Sequence, residues 1–537
     1  MTALAEHARR AALGVADRVV TLPAVRWTWR SLADNSWSGN LPELRPADPE
    51  AVRDMMAGRY LLASKLVQTG GTSPFAEPPE HLEWWQNLQS FSWLRHFRDL
   101  RDPGERFFAR TLVLDWIARD GGFARASWAP TICAQRVLNW LRHLNMLLDG
   151  ATPEQSRTIQ RALGAQIQSL KVREGLAGDP VDALFAAIAL LGAAACDDEG
   201  SLDLPARLRR LNSLLAEQLD RDGLHRSRNS RLQLQLLVEL SSVRRAPLGP
   251  KTEATAELGA QIDRMHMCLD ALTLGTGEPA YFHGCGQLPH DILIAVQSDG
   301  PPPRRRSMLL GGFGILRAGD AVLVADTGPA PAPGFDAEAH RSALAFEFST
   351  GNALLVGNCG PAPADLPGSE ASFRQAVAHS GPTIDGEDPE AGGAAIRRAP
   401  LPKPNLDLTE NALTLTSAGY RRHFGVDIER QITLLGDGET LVGQDRLIAQ
   451  GTPSGVLCLR FHLGPGTVVH RVSEESVVRL VLPNGEVWSF LWEGASLYED
   501  DSVRQSASMG LVRTRQLVLE TQAKVSAEIA WIFTRQN

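Results

Sequence analysis

The chain has 537 residues, 43% of them hydrophobic and 22% charged, with a formal net charge of −8. That length exceeds one ordinary core, so two domains, or one domain with a large module, are expected, and the composition excludes a disordered chain. The negative balance argues against nucleic-acid binding, so an anionic ligand would need a local basic groove. The N-terminal stretch MTALAEHARRAALGVADRVV carries Glu6 and has no continuous apolar core, so it does not read as a secretory signal. The most apolar run, Ala183 to Cys196, is too short to span a bilayer. The six cysteines (Cys133, Cys196, Cys268, Cys285, Cys359, Cys458) show no Cys-x-x-Cys spacing and read as reduced thiols. A cytoplasmic protein with no membrane partner is the expectation.

Taken in order, the first half reads as helices. Ala51 to Gln68 carries apolar residues at three-to-four spacing and predicts the first of them. An aromatic-rich region follows, with Trp84, Trp85, Phe91, Trp93, Phe97, Trp116 and Trp128. Further helices are predicted at Thr131 to Asp149, Pro153 to Glu174, Pro180 to Ala195, Leu204 to Arg221, Ser230 to Val243 and Glu253 to Thr273. Short Gly-containing breaks between them suggest helical hairpins wound into a ring or solenoid. The composition changes at SDGPPPRRR, so the expected division is a helical domain over 1–297, a linker over 298–306 and a second domain over 307–537. The second domain alternates apolar and polar residues between Gly, Asp and Pro breaks. Asp437-Gly438 and Asn484-Gly485 read as hairpin turns, because both dipeptides tolerate positive φ, and a β-sandwich is predicted. The Ala/Pro/Gly-rich stretches 361–367 and 387–404 are expected to be long loops.

The most informative stretch runs from Gly334 to Asp388. It holds His340 and His379 in strand-like surroundings, with Asn358 between them. The residues Phe346-Glu347-Phe348 and Ala378-His379-Ser380 carry a resemblance to the heparinase II/III-like family of polysaccharide lyases. So do Trp93-Leu94-Arg95, Arg136-x-x-Asn139-Trp140, Asp222-Gly223-x-His225 and Arg460-Phe461-His462. The chain departs from that pattern at Glu338, where a first His is expected, at Ser342 for an Asp, and at Asn358 for a second Asp.

The resemblance implies an N-terminal α/α-toroid, or incomplete helical barrel, followed by an antiparallel β-sandwich. It also implies β-elimination cleavage of an acidic, uronic-acid-containing polysaccharide or oligosaccharide in a cleft between the two. His340, Asn358 and His379 would then form a zinc set, two imidazoles and an oxygen being a common first shell, although a neutral amide is a weak substitute for a carboxylate. Glu338 or Asp336 could compensate. The alternative is a pair of histidines hydrogen-bonded within the sandwich.

Proton abstraction next to a carboxylate requires a group that neutralises that carboxylate and a base. The loop Asp222 to Arg231 offers His225 as base and Asn229 as neutralising amide, with Arg228 and Arg231 to hold an anionic group. The bland reading is a solvated loop in which Asn229 or Ser230 caps the next helix. His283, in the Gly-rich loop Tyr281 to Gly286, is a second candidate. Arg136, Asn139 and Trp140 read better as a buried polar anchor than as a substrate contact. The four tyrosines (Tyr60, Tyr281, Tyr420, Tyr498) all lie away from the place after the Asp-Gly turn where the resembled lyases carry a catalytic Tyr. A non-catalytic glycan-binding or scaffold member with the same fold is therefore the competing expectation. A hydrolase using paired carboxylates has no supporting motif.

Overall fold

The computed structural model describes residues 3–26, 32, 34–39, 41–78, 80–100, 102–123, 125–363, 366–389, 403–471 and 477–536. Most of the loop expected over 387–404, and two residues of the loop over 361–367, lie outside that set. Two compact units are present. One comprises 1–220, 234–266 and 291–300; the other comprises 221–233, 267–290 and 301–537.

The first unit is built of helices whose starts are written in the sequence. Asp102, Thr152, Asp179 and Asp203 each cap a helix through a side-chain oxygen, with Pro in the first turn. Pro fits there because its missing N–H would be unpaired anyway and its φ is already helical. Thr152 and Gln155 complete a reciprocal capping box. The helices Pro130–Leu148, Pro153–Arg173, Pro180–Ala195 and Leu204–Gln218 follow the predicted spans closely, whereas Pro103–Asp120 lies in the aromatic-rich region for which no helix was predicted. Gly192 permits close packing, since a Cβ there would lie 2.9 Å from Leu138 and 3.2 Å from Leu41.

Arg136 is buried under Trp116, 4.2 Å from the ring centre, and donates to the carbonyls of Gln89 and Ser127. Asn139 donates to the Ser90 carbonyl. These are packing anchors, as the bland reading had it.

One predicted helix is corrected. Ala51 to Gln68 is a short helix, Pro49–Met56, followed by a hairpin of Arg59–Leu62 with Lys65–Gln68. Gly58 takes φ 76° and ends the helix, and Ala63 and Ser64 both adopt left-handed φ to form a two-residue turn. Three-to-four spacing could not distinguish this from a continuous helix, because Leu61 and Leu66 are exposed rather than facing a core.

The second unit is an antiparallel sandwich of an eight-stranded and a nine-stranded sheet. Its core includes Phe346, Phe461, Phe490, Trp531 and Phe533. Phe346 of one sheet stacks on Trp531 of the other at 5.6 Å, and Trp531 in turn covers Gly443, where a Cβ would clash. Within this core Arg430 pairs with Asp445 at 2.7 Å, and Trp531 donates to the same carboxylate at 2.9 Å. The hairpin turns at 437–438 and 484–485 form as predicted, with Gly438 at φ 90° and Gly485 at φ 88°. Segments 221–233 and 267–290 pack on the nine-stranded sheet through a second cluster that includes Leu224, Leu272, Phe282, Phe313, Ile315 and Val324.

Candidate functional site

Every residue singled out for chemistry falls in the second unit. The loop 221–233 begins at Asp222, whose carboxylate accepts from the Gly311 N–H at 3.0 Å, and Leu224 is buried in the second cluster. His225 is buried as well. Its Nδ1 accepts the Ser227 N–H at 3.1 Å, which places the ring proton on Nε2, and the ring lies edge-on to Phe335. Burial, with Arg226 nearby, pushes its pKa down to about 4. His225 is thus a neutral imidazole whose bare nitrogen is held by its own loop.

Arg228 is not positioned to hold a glycan. It adopts φ 57° and sends its guanidinium inward, donating to the carbonyls of Gly311 (3.3 Å), Gly312 (2.6 Å) and Pro329 (3.0 Å) and to Asp326 Oδ1 (2.6 Å). It lies 4.3 Å from the centre of the Phe313 ring. It fastens the loop to the sheet, a correction to its expected role as a clamp for an anionic sugar. A solvent-facing guanidinium and a buried one look alike in sequence. Arg231 is half-buried, and its charge opposes the effect of burial on Cys285, whose thiol is pushed up to about 12.

Asn229 both caps and donates. Its Oδ1 accepts the Arg231 N–H at 2.9 Å, the capping contact expected of it. Because a backbone N–H must meet oxygen, the amide is oriented with Nδ2 toward Glu338, whose Oε2 lies 2.7 Å away. The side chain is buried, whereas Glu338 is exposed.

The loop 267–290 supplies His283 and Gly284, with successive positive φ values of 51° and 89°. Such a pair turns adjacent N–H groups to one side and makes a small nest of donors. Here an imidazole sits against both N–H groups, but only its Nε2 accepts, from Gly284, because Nδ1 gives its proton to His379 Nε2. The N–H of His283 lies 3.1 Å from His340 Nδ1, and that of Gly284 lies 3.1 Å from His340 Nε2. In return the His340 N–H donates to His283 Nδ1 at 3.3 Å. His283 Nε2 therefore carries the proton, and it faces Asp326 Oδ2 at 3.2 Å. Burial pushes Asp326 up, but Arg228 and His283 outweigh it and bring its pKa to about 2. Burial lowers both His283 and His340, the latter well below the usual histidine range, with His379 adding to the effect on His340.

His340 and His379 do meet across neighbouring segments, as expected. His379 Nε2 lies 2.6 Å from His340 Nδ1, and His379 Nδ1 donates to the Gln375 carbonyl at 2.9 Å. Asn358 is adjacent but turned to the backbone: its Oδ1 accepts the Ser380 N–H at 2.9 Å and its Nδ2 donates to the Tyr281 carbonyl at 3.2 Å.

Residues 300–532 match the family model described as heparinase II/III-like, C-terminal. These residues belong to the heparinase II/III-like family. The helices followed by antiparallel sheets have the toroid-plus-sandwich fold of heparinase III, with a TM-score of 0.74 to a structure of that name. That match is 12% identical and covers 96% of this chain and 89% of the other. A heparan sulfate lyase mutant from Pedobacter heparinus matches at 15% identity and TM-score 0.62, over 100% of this chain and 91% of that one. A second structure described as a heparinase III gene product, with methylated lysines, matches at 12% identity and TM-score 0.66, over 97% and 91%. No protein of curated function matches the sequence.

In this heparinase II/III-like domain the three residues expected to hold zinc do not form a ligand set as they stand. Zinc bound tetrahedrally to two imidazoles at about 2.0–2.1 Å sets their nitrogens roughly 3.3 Å apart, whereas the His340–His379 separation is that of a hydrogen bond. The Asn358 amide is committed to backbone on both sides, and no group of three metal-ligating side chains occurs among the described residues. Exchanging Asn358→Asp tests this directly. The change sets a carboxylate against the Tyr281 carbonyl and is expected to cost about 1–3 kcal/mol in urea unfolding. Zinc is expected not to restore that loss; full recovery would mean that the imidazole pair opens to take the ion.

Asp326 and the pair Glu347–Arg504 are structural elements of this domain that the sequence reading missed. Glu347 accepts from Arg504 at 2.7 Å, from the Asn358 N–H at 2.7 Å and from the Tyr281 N–H at 3.0 Å. Arg504 lies 3.7 Å from the Tyr281 ring centre, and the Tyr281 hydroxyl donates to Glu278 at 2.8 Å. The available signal was a lone acid in a strand that is otherwise apolar, Asp in AVLVAD and Glu in Phe-Glu-Phe, since a buried carboxylate demands a donor. All six cysteines are buried and none is in a disulfide, and no helix among the described residues is long and apolar enough to cross a membrane.

Proposed function

We propose that this protein is a polysaccharide lyase-like protein acting on a uronic-acid-containing glycan, with Asn229 as the group that takes the sugar carboxylate. The single observation that supports this most is the orientation of Asn229, whose capped carbonyl leaves the amide N–H aimed at a carboxylate, that of the exposed Glu338, beside the Gly284 backbone. In β-elimination the charge that develops when the proton next to the carboxylate leaves must be held by such a donor, and a pre-aimed amide does so without reorganising. His225 and His283 are the candidate bases. Each already accepts a backbone N–H at Nδ1, so proton abstraction by either requires its loop to release that nitrogen.

That requirement favours a second reading, a glycan-binding member with this fold and no turnover. The two separate in one assay. Purified protein is incubated with a panel of uronic-acid polymers and followed for unsaturated, ultraviolet-absorbing ends and for binding. The lyase reading expects products, with kcat/KM falling roughly 100-fold or more in Asn229→Asp, which keeps the cap and removes the donor. Saturable binding without products supports the second reading, and neither binding nor products removes both.

A further inference from the structure

The Asn229 amide already holds a carboxylate, and that carboxylate belongs to the chain. Glu338 lies two residues before His340, whose ring is fixed by the Gly284 N–H at Nε2 and by His379 at Nδ1. The turn leading to His340 is tied down, with the Ala339 N–H on the Asp336 carbonyl at 3.1 Å and Arg374 donating to the Ala337 carbonyl. These contacts bring the Glu338 side chain across the bare Cα of Gly284. A Cβ on Gly284 would lie 2.7 Å from the Glu338 Cβ and 3.0 Å from Asn229 Nδ2. The glycine is therefore what lets the carboxylate reach the amide, with Oε2 2.7 Å from Nδ2. The donor is nine-tenths buried and has its oxygen committed to the helix cap.

We infer that Glu338 is a built-in competitor: it occupies the Asn229 amide in place of a sugar carboxylate, and an acidic glycan binds only by displacing it. This inference rests on the reading of Asn229 as a carboxylate-holding group, and it names Glu338 as the residue that sets how well the site accepts an acidic sugar. The physics is direct. A carboxylate beside the amide both uses its hydrogen bond and repels a second anion, and an amide bond to an ionised group is among the stronger neutral-donor contacts. A neutral sugar ester meets no such repulsion.

The test is calorimetric titration of the full chain with a hexasaccharide of alternating glucuronic acid and N-acetylglucosamine, and with its methyl ester. Glu338→Ala and Glu338→Gln are compared with the unaltered protein. Glu338 is exposed, so both variants are expected to fold. The acid form should bind Glu338→Ala about tenfold tighter or more, which is the loss of one charged hydrogen-bond competitor. The ester should be unchanged, and Asn229→Ala in the Glu338→Ala background should abolish the gain. An equal gain for acid and ester would show that only space was freed and would overturn the inference. So would no gain, no binding to any variant, or a Glu338→Gln protein that binds normally but has lost turnover. Turnover of polymers tests the functional reading, and the acid-to-ester ratio between variants tests this one, so each can fail alone.

Discussion

Replacing Arg228 by methionine is expected to destabilise the protein by about 3–5 kcal/mol, the cost of stripping one partner from a buried ion pair. Asp326 is buried, and Arg228 is its strongest compensating charge, at 2.6 Å. Once the guanidinium is gone, only His283 and the Gly328 N–H remain beside the carboxylate, and the carbonyls of Gly311, Gly312 and Pro329 lose that donor as well. Urea unfolding measures the loss through the midpoint at constant slope. Adding Asp326→Asn should return half or more of it, because the uncompensated charge is then removed. A loss below about 1 kcal/mol would mean that the pair behaves as a solvated surface bridge. The same variant separates anchoring from catalysis: loop 221–233 should loosen, visible as faster amide exchange at Leu224 and His225.

Acid should unfold this protein early, and histidines are the reason. Burial brings His225 to about 4 and His462 to about 3, and His379 and Arg460 add to the effect on His462. An unfolded histidine titrates near 6.5. Between that value and the folded pKa, the unfolded chain carries a proton that the folded site refuses, so unfolding takes up protons and stability rises with pH. The contribution is fully present above about 6.5 and falls by about 1.4 kcal/mol per pH unit per histidine as the pH drops toward 4. His266, lowered to about 4 by burial and Arg244, acts in the same direction. The urea midpoint should therefore fall steeply between pH 6.5 and 4.5, with more than one proton taken up. His225→Asn keeps an acceptor for the Ser227 N–H and should lower the uptake by about one proton. A flat profile would show that these rings are charged, or hydrated, in the folded protein.

The gap between what was legible and what was not follows from the range of the forces involved. Asp-Pro and Thr-Pro starts, Gly stops and the Asp437-Gly438 and Asn484-Gly485 turns act through contacts a few residues apart, so the helices, the hairpins and a sandwich were readable from the chain alone. The family-like residues around His340 and His379 were readable too, and so was the capping role of Asn229. Periodicity failed at 59–68, where exposed leucines imitate a helical stripe.

What the chain order could not convey was direction. Whether Arg228 faces solvent or Asp326, whether His225 offers its Nδ1 to a sugar or to Ser227, and whether Glu338 reaches Asn229 depend on partners up to 109 positions away. Side-chain direction there follows from backbone geometry, the left-handed residues Arg228, His283 and Gly284, and from which buried charge must find a counter-charge. Those constraints exist only once the segments are packed, so the residue types of the site belonged to the sequence and their roles to the tertiary structure.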